Sequence, residues 1–364
     1  MYLQNIKLAN FKNYEEADYD FTENVNAIVG DNGSGKTNLL DAIHYLSFCK
    51  SYFTSQDAPA VRFEQDFFAI HGEFVGLDDE RTRKVSCIFK VGGRKVMKLN
   101  MKEYDRLSDH IGQFPVIMVA PVDNNLINEG SDLRRKFFDI IISQFDKEYL
   151  QTLIAYQRLL AQRNTLLKQM AEQGRYDAAF LQIYDEQIAP LGDAIHQRRK
   201  AFVADMLPTF RKHYEFLADS REEVSIVYQS ALDSAPMSEW LHRNGTTDYK
   251  AGFTCAGIHK DDFDFMMNGK IVRKFSSQGQ QKTFLLSLKL SQFDYIYEQK
   301  RIKPILLLDD IFDKLDEKRI RKLLYLVGNE HFGQVFLSDT DHNRVERILN
   351  GNNINYKVFT VGMK

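Results

Sequence analysis

A chain of 364 residues, 44% hydrophobic and 27% charged, has the length for two or three domains and the apolar content for a packed core. Its formal net charge of −2 excludes a wholesale basic protein, so any nucleic-acid contact has to come from a local basic patch. No apolar stretch approaches the roughly 20 residues that span a bilayer, and the opening residues Met1-Tyr2-Leu3-Gln4 lack the apolar core of a signal peptide. Cys49, Cys87 and Cys255 are too scattered for a disulfide framework, and the nine histidines show no metal-ligand spacing. A soluble protein of the reducing cytoplasm is expected.

Residues 1–125 predict mixed α/β structure. Strand-like runs occur at Leu3–Leu8, Val25–Val29, Phe67–Val75, Val85–Val91, Val96–Met101 and Val116–Ala120, with Gly92-Gly93 as a hairpin turn. Leu39, Ile43 and Leu46 recur at helical spacing and predict a helix over 36–48. Residues 126–222 change character. Leu133, Phe137 and Ile140, then Leu150, Leu153, Tyr156 and Leu160, predict long helices, with breaks near Gly174, Pro190 and Pro208. Only a few heptads fit, so this is a short helical arm and not a long rod. Residues 223–364 return to α/β. Asn268-Gly269 marks a hairpin, a helix is expected over 281–298, a buried strand over 304–308, a helix after Asp316, and strands over 335–337 and 356–361.

Three segments carry chemistry. Gly30-Asp31-Asn32-Gly33-Ser34-Gly35-Lys36-Thr37 fits GxxxxGK[ST], between a strand and a helix, with Asn38 next in line. Its glycines let backbone N–H groups turn inward on phosphate oxygens, and the following helix adds positive dipole. Lys36 then reaches the β- and γ-phosphates, and Thr37 ligates Mg2+. A chance match occurs in about 1% of chains this long, and the flanking elements reduce that further. Secondly, Pro304-Ile305-Leu306-Leu307-Leu308-Asp309-Asp310 reads as a central strand ending in two carboxylates. Beside a phosphate loop, Asp309 holds Mg2+ and Asp310 orients or deprotonates the attacking water; standing alone, the pair is an ordinary solvated turn. Thirdly, Phe275-Ser276-Ser277-Gln278-Gly279-Gln280-Gln281 opens a helix. It is either a plain N-cap or a second anion-binding end.

The order of these segments resembles the α/β ATPase heads of the ABC type, with a helical arm inserted in the head. Residues 1–125 would form the N-terminal part of the head, 126–222 the arm, and 223–364 the C-terminal part. Further segments resemble the RecF family of SMC-like ATPases: Asn10-Phe11-Lys12-Asn13-Tyr14, Lys50-Ser51, Ala120-Pro121 with Asp123, Leu133-Arg134-Arg135-Lys136-Phe137-Phe138-Asp139, Gln162-Arg163-Asn164, and Gly257-Ile258-His259-Lys260-Asp261-Asp262. The chain departs from that pattern at Tyr52-Phe53, Lys12, Ile258 and Lys260, and Ser338-Asp339-Thr340-Asp341 carries no switch histidine.

The resemblance implies nucleotide contacts from Lys12, Asn13 and residues 30–38, and a signature turn in which Ser277, Gly279 and Gln280 meet the γ-phosphate held by a partner chain. Asp316 would lie in the D-loop. It implies an ATP-dependent homodimer with weak, DNA-stimulated hydrolysis. Such a dimer binds gapped DNA without sequence preference, works with RecR and through it RecO, and serves repair, replication and the SOS response. Candidate DNA contacts are Arg81, Arg83 and Lys84, then Arg94, Lys95, Lys98 and Lys102, with Arg134, Arg135, Lys136 and Arg198, Arg199, Lys200 on the arm; each cluster also reads as a solvated face. Two rival readings are an SMC-like tethering ATPase, which the short arm disfavours, and a small-molecule kinase, which the signature turn disfavours.

Overall fold

A computed structural model describes residues 1–76, 81–218, 222–314, 317–328, 331–352 and 354–362, so the expected D-loop residue Asp316 lies outside the described residues. The chain forms two compact units. The first is Met1–Asn124, Lys212–Ser220 and Ser277–Lys364, and the second is Asn125–Arg211 and Arg221–Ser276.

The first unit opens with the antiparallel pair β1 (Tyr2–Phe11) and β2 (Tyr14–Asp20). β3 (Val25–Val29) is buried throughout and leads to α1 (Lys36–Phe48). β4 (Phe67–Val75), β5 (Arg83–Lys90), β6 (Val96–Leu99) and β7 (Lys102–Glu103) follow, with Gly92 at φ 76 in the β5–β6 turn, and then the buried β8 (Val116–Val119).

In the second unit come α2 (Asn125–Asn128), α3 (Ser131–Phe145) and α4 (Lys147–Gln173). α4 ends at Gly174, whose φ of 64 is the left-handed cap that glycine supplies. α5 (Ala178–Ala218), whose residues from Lys212 on belong to the first unit, continues through Pro190 and Pro208, where breaks were expected. Both prolines are exposed, as are Glu186 and Ala204 one turn earlier, so the carbonyls that lose their partners face water. β9 (Val224–Gln229), α6 (Met237–Ala251), β10 (Asp262–Met267), β11 (Lys270–Ile271) and α7 (Val272–Phe275) complete this unit. Its sheet has the order β11-β10-β9, turned at Asn268 (φ 49) and Gly269 (φ 74). The expected boundary at 223 therefore moves: residues up to Ser276 group with the helices. The cause is packing, since Phe138 of α3 stacks on Phe263 of β10 at 4.1 Å and Arg134 forks onto Asp262.

The chain re-enters the first unit with α8 (Gln278–Lys300), β12 (Ile305–Leu308), α9 (Ile311–Lys314), α10 (Glu317–Gly328), β13 (Val335–Asp339), α11 (His342–Asn350) and β14 (Tyr356–Thr360). This unit has an antiparallel sheet, β2-β1-β4-β5-β6-β7, and a parallel one, β14-β3-β13-β12-β8. α1 packs against strands of both. That is why Leu39, Leu40, Ile43 and Leu46 are all fully buried and no residue of the helix is exposed. Each such side chain contributes about 1.5–3 kcal/mol. In the parallel sheet β3, β13 and β12 are neighbours, so their carboxyl ends bring Gly30, Asp339 and Asp309 to one edge.

Candidate nucleotide site

The loop from β3 to α1 is exposed at Asp31, Asn32 and Gly33 and buried from Gly35. Gly33 (φ 80) and Gly35 (φ 113) take left-handed backbone, and a Cβ on Gly35 would stand 2.5 Å from Asn13 Nδ2, which only glycine avoids. Gly35 caps α1 without any side-chain hydrogen bond, so the helix start presents bare N–H groups, as an anion requires. Lys36 is buried, and its ammonium donates to the carbonyls of Gly30 (2.8 Å) and Asp31 (2.9 Å). Ser34 Oγ is buried with no partner among the described residues.

The β1–β2 turn is fastened to this loop. Asn13 Nδ2 donates to Ser34 O at 3.0 Å, Asn38 Nδ2 donates to Asn13 Oδ1 at 2.7 Å, and Tyr14 OH donates to Gly35 O at 3.0 Å. Asn13 and Asn38 thus brace the loop they were expected to serve. Lys12 differs from expectation: its ammonium pairs with the buried Asp41 at 2.6 Å, 5.3 Å from the Phe53 ring centroid. Asp41 also accepts from Ser51 Oγ and Tyr52 N, both at 2.7 Å. Through Asp41, Lys12 braces the Lys50–Phe53 turn.

Asp309 and Asp310 sit where β12 ends. Thr37 Oγ1 lies 2.9 and 3.0 Å from the two oxygens of Asp309, and Ser338 Oγ donates to Asp309 Oδ1 at 2.8 Å. Burial lifts the Asp309 pKa above the usual carboxylate range, against the opposing pull of those two hydroxyls. Asp310 has φ 47, its N–H donates to Ser338 Oγ at 2.9 Å, and its Oδ1 is buried with no partner among the described residues. Left-handed backbone and an orphaned carboxylate oxygen at one residue make Asp310 a candidate functional position. Ser338 was missed as a site residue. The signal was a serine ending an apolar strand, legible only once β13 is known to lie beside β12. Lys289 was missed too. It is a lysine in the buried face of α8, donating to Tyr52 OH (2.8 Å) and Met118 O (2.9 Å) and paired with Asp123 (3.0 Å).

Ser277 is the N-cap of α8. Its backbone N–H donates to Gln280 Oε1 at 2.7 Å and its Oγ accepts from Gln280 N at 3.3 Å, a capping box. Ser277 is exposed and follows the exposed Phe275. A Cβ on Gly279 would meet nothing closer than 4.0 Å, so this glycine keeps a surface low without being forced by its own chain. In the segment that carries no switch histidine, Asp339 is buried and pairs with Arg344 at 2.6 Å, and His342, just beyond it, lies on the surface near Glu346.

The basic clusters divide sharply. Arg94 is exposed beside Glu103 and Lys84 is exposed beside Glu73, while Arg83 and Lys98 are half-buried on β5 and β6. Lys95 and Arg134 are removed from the candidate DNA contacts. Lys95 has 12% side-chain exposure and pairs with Asp57 at 2.7 Å; Arg134 has 9%, forks onto Asp262 and donates to the carbonyls of Leu126 and Glu129. Arg135 is half-buried and donates to Asp261 O at 2.6 Å. Arg199 is buried on Asp139 and Asp261.

Comparison with known proteins extends this reading. Residues 2–361 match the model of the RecF/RecN/SMC N-terminal domain. The DNA replication and repair protein RecF of Flavobacterium johnsoniae is 44% identical over 361 residues, covering 99% of this chain and 100% of that protein. A solved structure of the recombination mediator RecF with ATP, from the RecFOR pathway, superposes with a TM-score of 0.90 at 32% identity, covering 100% of this chain and 96% of that one. An SMC head bound to a ScpA winged-helix domain shares the fold at a TM-score of 0.58 and 16% identity.

Proposed function

The chain belongs to the RecF family, and from that premise we propose that it is an ATP-dependent, DNA-binding dimer of recombinational repair and replication-fork maintenance. It binds single-strand gaps, and slow hydrolysis of ATP controls dimerisation and release of DNA. The observation that carries the reading is Asp310, a strained residue with an unmatched oxygen beside a phosphate loop. Lys36 exchanges the carbonyls of Gly30 and Asp31 for phosphate oxygens, and the uncapped start of α1 supplies further donors. Thr37 and Asp309 suit Mg2+, since both offer hard oxygens and stand within 3.0 Å of one another. When bound, that ion neutralises phosphate charge. Asp310 orients the attacking water and takes its proton.

The signature turn acts on a partner's nucleotide. Within one chain α8 packs against β8, and β8 lies three strands from β3, about 14 Å at ordinary strand spacing. That exceeds the reach of the Ser277 side chain, whereas its exposure suits a second copy. The γ-phosphate then joins two subunits, and nucleotide state sets dimer affinity. RecR, and through it RecO, are the proposed protein partners, and the cysteines, all free, suit a reducing compartment. α4 and α5, at 27 and 41 residues, are short for a tethering rod.

Sedimentation with and without ATP tests this. The protein should dimerise on ATP, Lys36→Ala should neither bind ATP nor dimerise, and Ser277→Arg should bind ATP yet stay monomeric. A Ser277→Arg protein that dimerises and turns over normally would overturn the shared-nucleotide arrangement.

A further inference from the structure

Three side chains of the first unit that play no part in the nucleotide site converge near the amino end of β13. His213 stands on the last turns of α5, Asp294 on α8, and His331 in the loop before β13. His213 Nε2 lies 2.6 Å from Asp294 Oδ2 and His331 Nε2 lies 2.8 Å from Asp294 Oδ1. The three ligand atoms all fall within 4.8 Å of one another. His213 is buried, and the rings of Phe293 and Phe332 stand 5.9 and 4.9 Å from that of His331, so one wall of the cluster is dry.

One detail separates this cluster from an ordinary ion bridge. His331 Nε2 is buried and close to Asp294, yet it satisfies no hydrogen bond to any described residue. A ring nitrogen and a carboxylate oxygen that approach without aligning are arranged like two ligands facing a common third point.

We propose that His213, Asp294 and His331 form a binding site for a divalent first-row transition-metal ion, zinc above all. Two imidazole nitrogens and one carboxylate oxygen are a zinc-type donor set, and they disfavour the harder Mg2+ and Ca2+. Ligand bonds of about 2.0–2.1 Å place tetrahedral donors about 3.3 Å apart, so the three side chains, whose ligand atoms lie within 4.8 Å of one another, have to adjust to that spacing when the ion binds. The ion would clamp the end of α5 to α8 and to the loop feeding β13. α8 begins with the signature turn, and β13 ends in Ser338, which holds Asp309. The site is independent of the function proposed above.

The test uses the full chain, stripped of metal with a chelator and titrated with zinc chloride against a chromogenic zinc-binding competitor. One zinc per chain is expected. His213→Gln, Asp294→Asn and His331→Gln should each weaken it at least about tenfold, the least that loss of even a supporting partner costs. Zinc should raise the unfolding temperature of the parent protein and not of the variants, and cobalt(II) chloride should give the visible absorption of a four-coordinate ion. His331→Gln alters a loop and leaves both helices intact, so circular dichroism and its unfolding transition show that it is folded. No stoichiometric zinc, or equal affinity in the folded His331→Gln protein, would overturn the site and leave a metal-free ion bridge.

Discussion

The two units bury charge for opposite ends. In the second, Arg163 reaches Asp185 at 2.6 Å, Asp248 at 2.7 Å and Thr254 Oγ1 at 2.8 Å, and Arg199 takes Asp139, Asp261 and the Ile258 carbonyl. These guanidiniums draw partners from distant segments, with only Arg163 Nη2 left without one among the described residues, which fixes how α3, α4, α5 and the 254–261 loop meet. In the first unit three charges at the strand ends are poorly matched, although Asp339 beside them pairs with Arg344. Lys36 rests on two carbonyls, Asp309 is held by two hydroxyls, and Asp310 keeps one oxygen with no partner among the described residues. A matched buried ion pair defines geometry; an unmatched one keeps free energy available for a ligand.

The comparison breaks most readily at Arg163. Arg163→Met leaves Asp248, which is fully buried, without its cation, and should cost about 3–5 kcal/mol. The single tryptophan, Trp240, lies on α6 in the second unit, so its fluorescence in a urea titration reports that unit. A loss below about 1 kcal/mol would mean that the ion network is not what sets the geometry there. Asp310→Asn is the converse test. It preserves shape and removes the charge, so ATP hydrolysis should fall by about 100-fold or more, with ATP binding and the urea midpoint nearly unchanged. Single-turnover phosphate release measures it, and unchanged release would put Asp310 among the structural charges.

What was legible beforehand follows the same division. The phosphate loop, the Asp309-Asp310 strand end and the Asn268-Gly269 turn are contiguous in sequence, so residue order alone points to them. The partners of the buried arginines are not contiguous: Asp262 lies 128 positions from Arg134, and Asp139 lies 60 from Arg199. Charge by itself cannot separate a buried guanidinium from a solvated one, so both were first read as surface clusters. Ser338 escaped notice because its role needs β13 beside β12. α6 was hidden by Gly245-Thr246-Thr247, which have low helix propensity and are held helical by the packing of Leu241 and Met237. Pro190 and Pro208 misled in the other direction, since a long helix tolerates proline on its wet side.

The smallest expected effect tests the division within one hairpin, at two adjacent basic residues. Lys95 tucks its ammonium onto both oxygens of Asp57, 5.3 Å from the Tyr45 ring centroid, and Tyr45 OH also bonds to Asp57. Arg94, with 78% side-chain exposure, meets only the rim carboxylate Glu103 among its described partners. Lys95→Ala should therefore destabilise by about 1–3 kcal/mol, the cost of leaving a buried polar partner unmatched, and leave the salt dependence of DNA binding unchanged. Arg94→Ala should alter stability by less than about 1 kcal/mol and lower the slope of log affinity against log salt by about 0.9, one phosphate contact. Fluorescence anisotropy on gapped DNA from low to moderate salt, paired with thermal unfolding, reads both. If Lys95→Ala changed the slope, the buried member of the pair would be reaching DNA after all, and a matched ion pair would not mark a structural charge in this hairpin.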